Sequence, residues 1–171
     1  MVLGYTFSVF NYIFYCLSRF MKEKKSMLAL DIISKICTIT SLFFFGSIAG
    51  SLNMFIAIPL LVVGIFKEKY DYMKKFIINH GIFLIFLTSY IFSCVVFYDG
   101  LSSILITITS VLTLLAIWYF PPQLMRINGI IVCFIYLGYQ LSIDNYVGLA
   151  EIFVIISNIV SYREYKELER S

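Results

Sequence analysis

The chain has 171 residues, 61% of them hydrophobic and 13% charged, with a formal net charge of +3. A water-soluble domain of this size has to face water over much of its surface, and so apolar a composition excludes that class. The basic surplus lies beside apolar runs and is read as bordering anionic lipid headgroups; no nucleic-acid motif accompanies it.

The apolar residues fall into seven blocks of about 17 to 23 residues, the length that crosses a ~30 Å hydrocarbon layer as a helix. The expected segments are Val2–Ser18, Met27–Phe45, Ile48–Phe66, Phe76–Tyr98, Leu101–Phe120, Ile127–Ile143 and Tyr146–Tyr162. They nearly exhaust the chain, so one all-α membrane domain over 1–171 is expected, with no soluble domain beside it.

The first segment has no basic residue before it. Its first positive charge is Arg19, after the apolar run, so it is read as a membrane span and not as a signal peptide. Arg19 then anchors the end of that span, and Asn11 sits in its middle. In the second segment Asp31 and Lys35 stand four apart on one face, beside Ser34 and Thr38. They are expected to pair, because a neutralised pair is the cheapest way to keep both charges in the membrane. Gly46 and Gly50 mark the turn to the third segment.

The third segment carries Gly50, Asn53, Ala57 and Gly64 near one face, a stripe that lets helices approach closely in lipid. Pro59 inside it removes a backbone hydrogen bond and permits a kink. The fourth segment begins with Asn79 and His80, read as interfacial polar residues. Trp118 stands near the end of the fifth, which Pro121 and Pro122 terminate, followed by Gln123. The seventh carries Glu151 and Asn158, seven residues apart and so on one face. An acid and an amide on an otherwise apolar helix belong in the bundle interior or a water-filled cavity. The polar stretch Arg163–Ser171 reads as a solvated helical extension.

Of the 13 Lys and Arg residues, Lys35 lies inside a segment. The other 12 fall in the first, third and fifth connections and the tail; the second, fourth and sixth hold only Asp99 and Asp144. Basic connections stay in the cytoplasm. The expected location is therefore the bacterial cytoplasmic (inner) membrane, with the N-terminus outside and the C-terminus inside. Cys16, Cys37, Cys94 and Cys133 lie in four different segments without paired spacing, which reads as packing and not as a metal or redox centre. One histidine cannot build a metal site, and no hydrolase motif or phosphate-cradling glycine loop is present. An enzyme, a metal and a cofactor are accordingly not expected.

Seven spans place the first three helices and the last three in the same orientation, joined by a reversing linker helix. That is the layout of a parallel-repeat transporter. The expected division is 1–70 for the first three-helix bundle, 71–99 for the linker helix, 100–163 for the second bundle and 164–171 for the tail. A shift of 98 positions pairs Gly50 with Gly148, Phe55 with Phe153, Ile58 with Ile156 and Val62 with Val160. It also sets Asn53 opposite Glu151.

Several features together resemble the YgjV family of bacterial inner-membrane proteins over most of the chain. They are Lys22–Lys25 after the first segment, Phe43-Phe44-Phe45-Gly46 followed by Ala49, Gly50 and Asn53, and Arg126 before the sixth segment. Gly148, Glu151, Asn158 and Arg163 complete the pattern. More distantly, Trp118 through Arg126, with Pro122-Gln123, is similar to one motif of the SWEET and PQ-loop transporters. In the first half Leu17-Ser18-Arg19 stands where a second proline–glutamine pair would be. The resemblance implies a 3+1+3 arrangement rocking between two states, with polar residues of the third and seventh helices in its pocket.

The expected function is a small carrier for a polar metabolite working by alternating access. Asn53, Glu151 and Asn158 would line its site, Asn11 and Trp118 would stand in the wall, and Pro59, Pro122 and Gln123 would act as hinges. The alternative is a non-transporting scaffold or regulatory protein whose polar interior is only structural. A polar cavity at mid-membrane separates the first from the second.

Overall fold

The computed structural model describes residues 2–70 and 75–168. Lys74 and Arg170, two of the charges used to orient the chain, lie outside the described residues. Seven α-helices follow in order: α1 (Val2–Arg19), α2 (Lys24–Phe44), α3 (Ile48–Lys69), α4 (Phe76–Val96), α5 (Leu101–Tyr119), α6 (Pro122–Ser142) and α7 (Glu151–Leu168). A 3-10 turn over Tyr146–Ala150 leads into α7. Six helical stretches, α2 to α6 and the stretch Tyr146–Lys166, are long and apolar enough to cross a membrane. The described residues form helices and turns without a strand, the build of a multi-pass membrane protein. α1 is helical over its expected length but is not among the six; Thr6, Ser8, Asn11 and Ser18 dilute its apolar character.

Two boundaries differ from expectation. α6 begins at Pro122, five residues before Ile127, because proline at the first helical position loses no intrahelical hydrogen bond. Pro121 and Pro122 therefore start α6 as much as they end α5. The seventh segment opens as a 3-10 turn, and Glu151 is the first residue of the α-helix proper.

The uncharged break between α2 and α3 is a Schellman turn. Ser47 N donates to Leu42 O at 3.0 Å and Gly46 N to Phe43 O at 3.1 Å, with Gly46 at φ 74°. α6 ends in the same way. Asn145 N donates to Gln140 O at 2.9 Å and Asp144 N to Leu141 O at 3.2 Å, with Asp144 at φ 56°. Each of these positions lies 98 after its counterpart. The same shift carries Lys24–Phe44 onto Pro122–Ser142 and the start of α3, Ile48, onto Tyr146, the start of the 3-10 turn.

α1, α2 and α3 pack in sequence, as do α5, α6 and α7. α3 also packs on α5 and α1 on α7, which closes a ring of six helices. α4 lies against α3 and α5, and only 11% of its apolar window is buried, against 39–44% for the other five spans. The ring is tied at one end by the basic connections and at the other by the turns holding Gly46, Gly100 and Asp144.

Close approach at the second of these ends depends on glycine. A Cβ on Gly148 would stand 2.4 Å from Cβ of Gln140, an atom at the root of its side chain that cannot swing aside. Gly148→Ala is expected to cost about 1–3 kcal/mol, read as a lowered midpoint of thermal unfolding in detergent. A Cβ on Gly50 meets the Tyr139 hydroxyl instead. Tyr139 is fully buried and its whole ring must shift to clear that space, giving up the hydrogen bond to Ser47, so Gly50→Ala should also destabilise.

Candidate functional site

The interior of the ring holds a narrow cavity of about 30 Å³, room for about two water molecules. Its polar lining comes from α1 (Asn11, Tyr15), α2 (Lys35, Thr38) and the start of α7 (Glu151). α5 adds Thr109, Ser110 and Thr113, and α6 adds Cys133 and Tyr136. Met54 and Ala57 of α3, Val132 of α6 and Tyr90 of α4 complete the wall.

The lining repeats at the spacing of the helices. Asn11 and Thr109, Tyr15 and Thr113, Lys35 and Cys133, and Thr38 and Tyr136 are four pairs of liners, each separated by 98 positions. The two sets of helices thus offer corresponding positions to one cavity. The charges break this correspondence. Lys35 has cysteine as its counterpart, and Glu151 has Asn53, which is not a liner.

Glu151 is 2% exposed, and its Oε2 is buried without a hydrogen-bond partner. The Tyr12 hydroxyl and the Cys133 thiol are its neighbours. Lys35 is in electrostatic range of Glu151 and holds its Nζ 5.6 Å from the centre of the Tyr15 ring. Lys35 and Glu151, from α2 and the start of α7, thus border one cavity. A second hollow continues from the first toward the basic end and shares Tyr15, Lys35, Ala57, Thr113 and Val132 with it.

The pairing of Asp31 also differs from expectation. Asp31 Oδ2 accepts a hydrogen bond from Arg19 Nη2 in a buried ion pair, and Lys35 makes no ion pair among the described residues. The tight turn between α1 and α2 brings the end of α1 against the first turns of α2, within reach of a guanidinium. Arg19, expected only as a charge anchor, is 3% exposed. Its Nε donates to Ser18 Oγ at 3.0 Å, and its guanidinium stacks 4.3 Å from the Tyr15 ring centre.

The other sequence candidates are distributed around the cavity. Asn11 lines it and accepts a hydrogen bond from Ser34 Oγ at 2.6 Å. Asn53 is buried beside it; its Nδ2 donates to Thr107 Oγ1 at 3.4 Å, joining α3 to α5. Asn158 faces α6, where a Cβ on Gly129 would lie 2.8 Å from its Oδ1, and its Nδ2 donates to Val154 O at 2.9 Å. Trp118 is remote from the cavity, at the basic end, under the Lys67 ammonium at 4.4 Å. Lys67 also donates to Trp118 O at 2.7 Å. Pro59 sits inside an unbroken α3 on its exposed side. Pro122 lines a surface cleft with Trp118 and Lys22–Lys25, and Gln123 follows in the first turn of α6.

Both ends of the ring are closed by contacts between α1–α3 and α5–α7. At the basic end Arg126, 1% exposed, reaches from α6 to α1. Its Nε donates to Arg19 O and Ser161 Oγ, both at 3.2 Å, and its Nη2 to Met21 O at 2.9 Å. A cation is well placed there, because the last carbonyls of a helix carry its negative end. At the opposite end Ser47 Oγ and Tyr139 OH share a 2.7 Å hydrogen bond. Asn145 Nδ2 donates to Ser8 Oγ at 3.4 Å, and Ser8 bonds Ser41 at 2.6 Å. These two clusters are related by the same shift, which carries Ser41 to Tyr139 and Ser47 to Asn145.

Comparison with protein-family models, with curated proteins and with solved structures returns no match.

Proposed function

We propose that this chain is a seven-span carrier for a small polar metabolite, built as two parallel three-helix repeats around a central site, with α4 as linker. The observation that carries the reading is the narrow cavity inside the ring, at which four pairs of liners correspond across a shift of 98 positions. A site shared equally by two repeats is what alternating access about a fixed midplane site requires. The coincident helix ends, the matching Schellman turns and the ring closed by α3 on α5 and α1 on α7 support the same division. The contacts of Arg126 and Lys67 at one end and of Tyr139 and Asn145 at the other then act as gates, and the narrow cavity corresponds to the occluded state.

In this reading α1 is the first span, and the basic connections lie in the cytoplasm of a bacterial inner membrane. Single cysteines at Gly100 and Asp144, both exposed, should react with an impermeant thiol reagent in intact cells once the native cysteines are replaced. A cysteine at exposed Lys69 should react only after the membrane is permeabilised. Labelling of Lys69 in sealed cells would reverse the orientation.

Function is tested with purified protein, first by thermal shift against a panel of sugars, polyols, amino acids and nucleosides, then by uptake of any stabilising compound into proteoliposomes. Saturable uptake above protein-free vesicles is expected. A second reading, a membrane scaffold, is favoured by the narrowness of the cavity. It gains if no compound shifts the unfolding midpoint and none is taken up.

A further inference from the structure

We propose that the ligand of this site is a zwitterion of α-amino acid type, its carboxylate held by Lys35 and its ammonium by Glu151. This names the substrate class of the carrier and rests on that reading.

Three observations lead here. The first is that Lys35 and Glu151 line one cavity and neither is in an ion pair among the described residues. Asp31, one turn before Lys35 on α2, is held in an ion pair by Arg19. A buried acid and a half-buried amine without an ion pair across a common space are costly, and a partner that supplies both opposite charges relieves both. The second is the placing of the charges relative to the repeat. Four pairs of wall positions correspond between the halves, but the lysine belongs to the first half alone and Glu151 to the second alone. The site is therefore polar in charge between its two halves, which orients a dipolar ligand and gives a neutral one no counterpart for either charge.

The third is the order of the ring. α1 stands between α2 and α7, so Asn11 and Tyr15 form the wall that joins Lys35 to Glu151. Asn11 and the hydroxyls of Thr109, Ser110 and Thr113 can both donate and accept, and they suit the remaining hydrogen bonds of an ammonium and a carboxylate. Because the two charges come from different halves, a ligand spanning them draws the halves together. A neutral complex also moves through the membrane interior without an uncompensated charge. The cavity holds about two waters when empty, so the ligand enters as the halves part. Lys35 lines both this cavity and the hollow below it, and its flexible stem can yield space.

The test uses the full-length purified protein. L-amino acids from alanine to phenylalanine are tried singly by thermal shift and by proteoliposome uptake. The best binder is then compared with its 2-amino alcohol, which lacks the carboxylate, and its 2-hydroxy acid, which lacks the ammonium. Each analogue should bind at least tenfold more weakly than the amino acid. Lys35→Gln should weaken the amino acid tenfold or more and abolish its advantage over the amino alcohol. Glu151→Gln should do the same relative to the hydroxy acid. If either variant fails to fold, the analogue comparison on the unmodified protein decides alone. A sugar or polyol that binds and is taken up while no amino acid does would overturn the zwitterion and leave the carrier standing. An amino acid bound no better than its two analogues would overturn it too. Absence of binding and uptake for every compound would overturn both.

Discussion

Replacing Asp31 by alanine should lower the stability of the protein by about 3–5 kcal/mol, the usual cost of leaving one member of a buried ion pair without the other. The Arg19 and Asp31 side chains are 3% and 8% exposed. Without Asp31 the Arg19 guanidinium keeps only the Ser18 hydroxyl and the face of Tyr15. It would also stand among cations, with Lys35 and Arg126 both in electrostatic range. The companion variant separates the charge from the contacts. Arg19→Met in the Asp31→Ala background removes the stranded cation and retains an apolar stem, so most of the lost stability should return. Thermal unfolding of the two variants in the same detergent reads the difference. Equal midpoints for the single and double variants would show that the pair is not what holds α1 to α2.

Much of this fold was legible in the sequence because lipid imposes length. Each helix begins or ends within a few residues of its apolar block, and Gly46 marked the uncharged turn because a residue at positive φ is needed there. The shift of 98 is visible from four identities between α3 and the stretch formed by the 3-10 turn and α7. Its strongest expression lay elsewhere, in residues that are not identical. Asn11 and Thr109, or Lys35 and Cys133, share a position without sharing a chemistry, so identity could not reveal them. Applied to Asn11 and Lys35, the shift would have named Thr109 and Cys133 as liners.

Errors in the site came from treating charges by their place along the chain. Arg19 and Arg126 were read with the connections, where basic residues face headgroups. Both are almost fully buried, because at the basic end helix carbonyls and Asp31 supply their partners inside the bundle. Helical spacing joins Asn158 to Glu151, and the shift of 98 joins Asn53 to it. Helical periodicity fixes which residues share a face but not which face meets a neighbour; Asn53 turns toward Thr107 and Asn158 toward Gly129. The tyrosines of the cavity carried no signal, since Tyr is common throughout this chain and its hydroxyl declares nothing until the packing is known.

Glu151→Gln should leave the fold nearly untouched while removing function. The carboxyl makes no ion pair among the described residues, and its Oε2 has no hydrogen-bond partner, so the folded state draws little stability from its charge. Glutamine keeps the volume and an acceptor oxygen for the neighbouring Tyr12 hydroxyl and Cys133 thiol, and it adds donors that the Tyr12 hydroxyl can accept. The change in stability is expected within about 1 kcal/mol. Ligand binding is different, because one charge-assisted hydrogen bond to a cationic group is worth about 1.5–3 kcal/mol. That corresponds to roughly a 10- to 150-fold loss of affinity, with uptake falling at least as far. Glu151→Ala is the informative contrast. It removes the same charge but also opens space at the start of α7, so it should lower the unfolding midpoint as well as the affinity. If Glu151→Gln unfolds as readily as Glu151→Ala, the carboxylate is a structural member of the α1–α6–α7 contact and the scaffold reading takes precedence. If Glu151→Gln is stable and takes up the ligand at the unmodified rate, Glu151 faces the cavity without serving it.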